Sequence, residues 1–160
     1  VSLIHPTLRP ETPEDQPFLA HLYATTRQGE LDAAGLTGAI REVFVAQQFR
    51  AQTSGYILSF PFAKRWIILA EETAVGRFMV SHSDSEIRVV DLALLPSHQA
   101  HGIGTQLIRD LQTQAIQANL PVRLHVVPDG PAESLYRRLG FIRTGDPSIR
   151  VPMEWRPEGN

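Results

Sequence analysis

Apolar positions along this chain change rhythm several times, and each change marks an element. Leu8-Arg9 reads as the end of a short strand, and Thr12-Pro13-Glu14-Asp15 as a helix start. Thr12 can accept from the orphan amides, Pro13 suits the first helical position, and the acids favour the positive end of the dipole. Phe18, Leu19, Leu22 and Tyr23 follow at helical spacing, with Gly29 just beyond the expected end. A second helix is predicted over about residues 37–52, with Ile40, Val43 and Phe44 on one side and Gln47, Gln48 and Gln52 on its polar face.

The middle third switches to short β-forming runs separated by tight turns. Trp66–Ala70, Val75–Val80 and Ile87–Leu95 are the runs; Glu71–Ala74 and His82–Ser85 are the turns. This pattern predicts an antiparallel meander. The third run is apolar at both alternating sets of positions, which places it mid-sheet, covered on both sides. After Pro96 a loop leads to Gly102-Ile103-Gly104 and a long helix, with Ile103, Leu107, Leu111 and Ala115 at intervals of four and Ile108 and Ile116 beside them. Pro121 blocks its continuation past Asn119. A strand over 122–127 follows, then a helix from Pro131 with Ala132, Leu135, Tyr136 and Leu139 as its inward stripe and Gly140 as its C-terminal cap. Phe141–Arg143 and Ile149–Trp155 read as two last strands. The order is β-α-α-β-β-β-α-β-α-β-β, and the crossover spanning 87–127 should set two strands parallel.

Composition narrows the function classes. The chain has 160 residues, read as one domain over 1–160, and no cysteine, which excludes disulfides, thiolate zinc sites and a cysteine nucleophile. Net charge is −2, from 15 basic and 17 acidic residues without a run of either sign, so no nucleic-acid partner is expected. No stretch approaches the ~18 apolar residues of a membrane span. Val1–His5 lacks the basic region and apolar core of a signal peptide. A cytoplasmic location is the expectation.

The chemically informative unit is Leu92-Ala-Leu-Leu-Pro-Ser-His-Gln-Ala-His-Gly-Ile-Gly-Thr105. Glycines let a ligand approach the backbone, and loop amides plus the positive helix end suit a pyrophosphate. A dinucleotide fingerprint needs a third glycine where Leu107 stands, and an acidic residue that 122–127 lacks. A nucleotide-triphosphate loop needs Gly-Lys-Ser/Thr, which is absent.

The stretch resembles the acetyl-CoA motif of the GNAT superfamily of N-acetyltransferases, (Arg/Gln)-x-x-Gly-x-(Gly/Ala), through Gln99, Gly102 and Gly104. A second family motif, Leu-Tyr-x-x-x-Gly-Phe, is matched by Leu135-Tyr136-Arg-Arg-Leu-Gly140-Phe141. The element order fits over residues 8–155. The resemblance implies an α/β (α+β) fold with a mixed, mostly antiparallel sheet of about seven strands and helices on both faces. It implies acetyl transfer from acetyl-CoA to a primary amine by direct transfer in a ternary complex.

Under that resemblance Leu92, Ala93 and Leu94 border the pantetheine arm and supply an N–H to the acetyl oxygen. Gln99, Ala100, His101, Gly102, Ile103, Gly104 and Thr105 hold the pyrophosphate, and Tyr136 gives a proton to sulfur. Many relatives carry an Asn before the second motif; here Asp129 or Gly130 stands in that place, and the Asn role is not carried over. The base is left between His125, Asp91 and a water wire. His125 lies on the strand beside the cofactor strand, and its ordinary pKa suits a base; a hydrogen-bonded core histidine is the competing reading. Asp91 is equally able to form a structural ion pair with Arg88 or Arg123. Glu71 and Glu72 are expected to be solvated, and His98 and His101 to face solvent, without a metal. The acceptor is expected between residues 27–37 and 144–150, which carry Arg27, Glu30, Asp32, Asp146 and Arg150, with Phe60-Pro-Phe62 as an apolar wall. Open sheet edges make a homodimer compatible with this fold. A non-catalytic acyl-CoA-sensing module is the alternative to an enzyme.

Overall fold

The computed structural model describes residues 4–158; the first three residues of the Val1–His5 segment lie outside them. Strands β1 (Thr7–Pro10), β2 (Lys64–Ala70), β3 (Thr73–His82) and β4 (Ile87–Leu94) pair antiparallel in sequence order. Strands β5 (Val122–Val126), β6 (Ile142–Arg143) and β7 (Val151–Trp155) continue the same sheet, in the order β1-β2-β3-β4-β5-β7-β6. The β4–β5 contact is parallel, as the crossover requires, and the expected meander is β2–β3–β4.

The helices are α1 (Gln16–Thr26), α2 (Gln28–Ala33), α3 (Gly38–Ser59), α4 (Ile103–Ala118) and α5 (Pro131–Arg138). They divide between the two faces. On one face, α4 buries Ile103, Leu107, Ile108, Leu111 and Ala115 against the sheet, and α5 adds Tyr136. Full burial of each such Leu or Ile is worth about 1.5–3 kcal/mol. On the other face, Leu19, Leu22 and Tyr23 of α1 meet Val45 and Phe49 of α3 over Ile67. Among the described residues no helix is long and apolar enough to cross a membrane.

Three details depart from the sequence reading. Gly29 lies inside α2, a short helix the periodicity did not announce. Helix α3 continues to Ser59, and its buried residues are Val45 and Phe49, while Ile40, Val43 and Phe44 are exposed. Apolar residues on more than one side of this helix leave periodicity no means of choosing the buried one. In α5 the second inward position is Glu133, buried beneath Arg143 and Arg137, whereas Ala132 is exposed; Ile116 of α4 is exposed as well.

Candidate active site

The site begins where β4 and β5 part. Their pairing covers only Ile87–Val122 and Arg88–Arg123. Beyond it β5 follows β7 and β4 follows β3, leaving one edge of β4 without a strand against it. This uncovered edge contains Leu92, Ala93 and Leu94. Gly76 on β3 holds that half of β4 in place. A Cβ there would come within 2.4 Å of the Ala93 carbonyl oxygen and 2.8 Å of the Leu94 side chain, so no other residue fits without moving the strand. Nothing in the local pattern of 75–80 distinguishes this glycine from an ordinary strand residue.

A one-residue bulge reshapes β4 between its two ends. Val89 pairs with Val80 and Asp91 with Met79, so Val90 is extra. Leu92 and Leu94 pack toward α4, and Ala93 toward α1 and α3. The bulge brings Asp91 to the α3 face that Arg88 and Val90 also line, where strict alternation would have separated Arg88 from Asp91.

The loop after β4 closes one end of this gap. Pro96–His98 form a single 3₁₀ turn, and the Gln99 side-chain amide donates to the Leu94 carbonyl at 3.1 Å. Ala100 at φ +62° and Gly102 at φ +81° then bend the chain into α4. Left-handed backbone is unstrained for glycine and costly for alanine, so Ala100 is held by its surroundings. The amides of Ala100, His101, Gly102, Ile103, Gly104 and Thr105 make no hydrogen bond to another described residue. Six consecutive free donors at the positive end of a 16-residue helix form an anion cradle. Gly104 serves packing as well as approach: a Cβ there would meet Leu135 of α5 at 3.3 Å and Leu92 of β4 at 3.9 Å. Loop, open strand edge and α5 are thereby in mutual contact. His98 and His101 are half-buried with ring centroids 6.5 Å apart. Among the described residues no three metal-ligating side chains gather.

Tyr136 projects from α5 into the core, edge-on to Phe141 at 5.4 Å, and is 6% exposed. Burial, reinforced by the charge of Asp91, pushes its hydroxyl pKa well above the ordinary range. Asp91 itself is pushed up to about 6, first by burial; Arg77, Arg150 and the Leu92 amide oppose the rise and Glu11 adds to it. It pairs with neither Arg88 nor Arg123, contrary to that sequence reading. Arg88 is taken by Glu86 at 2.7 Å, and Arg123 by Glu86 and Glu154 at 3.1 and 3.0 Å.

His125 lies on the α3 side of β5 rather than in the core, with Arg88 Nη1 3.1 Å from its Nδ1. Arginine only donates, so Nδ1 is the acceptor and Nε2 carries the proton. Burial, then Arg88 and Arg150, lower its pKa, keeping the ring neutral. Asp129 stands at φ +63° with its carboxylate 3.1 Å from Arg143, so its charge is turned to a guanidinium, and Gly130 caps α5. Glu71 and Glu72 are exposed in their turn.

A pocket of about 440 Å³ opens between α3, β4 and β5, next to Val90; Arg27, Phe60 and Arg150 of the expected acceptor region line it, whereas Glu30, Asp32 and Asp146 do not. Tyr56, Arg88 and His125 complete the wall, while Phe62 is 89% exposed. Glu30 and Asp32 are tied to Arg27 and Arg41 at 3.0 and 2.6 Å.

The comparisons with known proteins agree with this geometry. The family model described as "Acetyltransferase (GNAT) family" matches residues 40–141. No curated protein matches the sequence significantly. Among solved structures, the PaiA N-acetyltransferase of Thermoplasma acidophilum in complex with coenzyme A aligns with a TM-score of 0.68 at 15% identity, covering 96% of this chain and 100% of the other. An acetyltransferase from Thermus thermophilus gives 0.68 at 15% identity, covering 98% and 100%. A GNAT family acetyltransferase from Elizabethkingia anophelis with acetyl-CoA bound gives 0.59 at 14%, covering 95% and 98%. With the family model spanning more than half of the chain and the same fold in these structures, the protein belongs to the GNAT acetyltransferase family.

Proposed function

We propose that this protein moves an acetyl group from acetyl-CoA to a primary amine by direct transfer. The observation that carries the reading is the run of six unpartnered amides beside an uncovered strand edge, with Tyr136 and Asp91 at the same gap. The residues present fit the cosubstrate. The loop from Gln99 to Thr105 offers donors to a pyrophosphate, and Leu92, Ala93 and Leu94 offer an extended edge to an amide-bearing arm.

Acetyl-CoA supplies the activated acyl thioester. The chain supplies the proton handling and the polar contacts. Asp91 takes a proton from the acceptor ammonium, whose ordinary pKa near ~10.4 leaves it charged at neutral pH. A β4 amide faces the oxygen that gains negative charge as the N–C bond forms. Tyr136 holds its proton in the resting protein and gives it to sulfur as the C–S bond breaks, and the second proton lost by the attacking nitrogen restores the phenol. We place the base at Asp91 because the single lone pair of neutral His125 is engaged by Arg88.

The testing experiment is calorimetric titration with acetyl-CoA of the wild type and of Thr105→Glu. An acid in the first turn of α4 favours the helix dipole, so the variant stays folded while repelling a pyrophosphate. The expected result is wild-type binding that weakens at least ~10-fold in the variant at unchanged Tm. Absence of binding by folded wild type refutes the reading. In a second experiment, Tyr136→Phe should lower kcat by roughly 10²-fold. Full turnover by that variant, with chemistry rate-limiting, would remove the tyrosine from the mechanism.

A further inference from the structure

The pocket between α3, β4 and β5 has a charge pattern that selects its occupant. Three guanidinium groups, from Arg27, Arg88 and Arg150, line it, and no carboxylate does. Two of the three are already balanced. Arg27 is paired with Glu30 at 3.0 Å, and Arg88 with Glu86 at 2.7 Å while also spanning to His125. Arg150 forms no ion pair with any described carboxylate; it acts at longer range on Asp91, Tyr56 and His125. Around it, the side chains of Gln52, Tyr56 and Ser59 line the same space without a hydrogen-bond partner among the described residues. The wall therefore offers several donors, and Arg150 is its unbalanced charge. Glu30 and Glu86 are held by Arg27 and Arg88, which leaves Asp91, next to the lining residue Val90, as the acid on this face without an arginine partner.

Such a wall disfavours a substrate with a second ammonium, since a polyamine would set its distal charge beside the unbalanced Arg150. It suits a substrate with an anionic end, which a guanidinium grips with two parallel hydrogen bonds. The volume, about 440 Å³, is that of a small-molecule site. We propose that the acceptor is a small amine that also carries an anionic group, a carboxylate or a phosphate, and that Arg150 holds this group while the amine faces Asp91. An amino-acid-like molecule meets the description. Binding of the anion at Arg150 positions the amine, so Arg150 is a specificity residue. This inference rests on the acetyl-transfer reading.

The test measures thiol release from acetyl-CoA by the full chain with matched acceptors: amino acids beside their own carboxamides, aminoalkyl phosphates, and spermidine. Acids or phosphates should exceed the carboxamides and spermidine in kcat/KM by at least ~10-fold. Whichever of the two anions leads identifies the group. Arg150→Gln should raise KM for the anionic acceptors by ~10-fold or more, at least ~10-fold beyond any change for their carboxamides, and be partly rescued by Arg150→Lys. Arg150 is exposed, and a thermal melt checks that each variant is folded. Preference for spermidine or for carboxamides overturns the inference and leaves acetyl transfer standing. Acetyl-CoA binding without turnover of any anionic amine overturns it too. Loss of acetyl-CoA binding itself is the separate failure that removes the underlying reading.

Discussion

Asp91→Asn is expected to lower kcat/KM by about 10²–10³-fold and, at pH 7.5, to make the protein more stable. The two effects have one origin. In the folded protein the Asp91 pKa is pushed up to about 6 from an ordinary 3.8, chiefly by burial. A carboxyl whose folded pKa is raised costs nothing below pH 3.8, where it is protonated in both states. Stability is then lost as pH rises from 3.8 through 6, because the folded protein must hold a charge that the unfolded chain solvates freely. Asn keeps the shape and removes the charge. The gain at pH 7.5 is on the order of 2–3 kcal/mol, or about 5–10 °C in Tm, and should vanish at pH 4. The wild-type pH–rate profile should fall on its acid side with an inflection near 6, and the Asn variant should lack that limb. Melting curves at the two pH values, with the profile, check the assignment. Equal stability of the two proteins at pH 7.5, or an unchanged profile, rejects it.

The second large effect is expected at Glu11, which neutralises a buried arginine. Arg77 is 2% exposed on β3, with its Nη1 3.3 Å from Thr53 Oγ1 and its guanidinium over the Phe49 ring at 5.7 Å. Its Nε lies 3.1 Å from Glu11 Oε1, yet the two atoms are not aligned for a hydrogen bond, and Nη2 is buried without one. The attraction is therefore Coulombic, in a setting where an unpaired charge is costly. Glu11→Gln should destabilise by about 3–5 kcal/mol, measured by urea denaturation. The double change Glu11→Leu with Arg77→Met should be much milder, since it removes both charges together. The same substitution has a kinetic signature. Glu11 helps to raise the Asp91 pKa and Arg77 to lower it, so Glu11→Gln should move the acid limb of the pH–rate profile downward.

Much of this arrangement was legible in the sequence. The succession of strands, the helices other than α2, the parallel crossover and the loop from Gln99 to Thr105 follow from periodicity, capping residues and two motifs, because those signals are local. Side-chain partnership is not local. Strict alternation sets Arg88 and Asp91 on opposite faces; the bulge at Val90 brings them to one face without changing any residue type, and Arg88 still turns to Glu86. Arg77 reads as an ordinary polar position on a strand, and its burial depends on Glu11 arriving from just beyond β1. Gly76 reads as a weak strand residue until the Ala93 carbonyl is set against it. The pocket between α3, β4 and β5 draws Tyr56, Arg88, His125 and Arg150 from four separate segments, a juxtaposition visible only once the sheet has divided.

The division of the sheet also separates the two indoles of the chain. Trp66 sits on β2 and Trp155 on β7, on opposite sides of the β4–β5 seam, and both pack against the core beneath α4. Each wing thus carries its own intrinsic fluorophore. Single-tryptophan forms, W66F and W155F, would let emission from the two wings be followed separately as acetyl-CoA is titrated in.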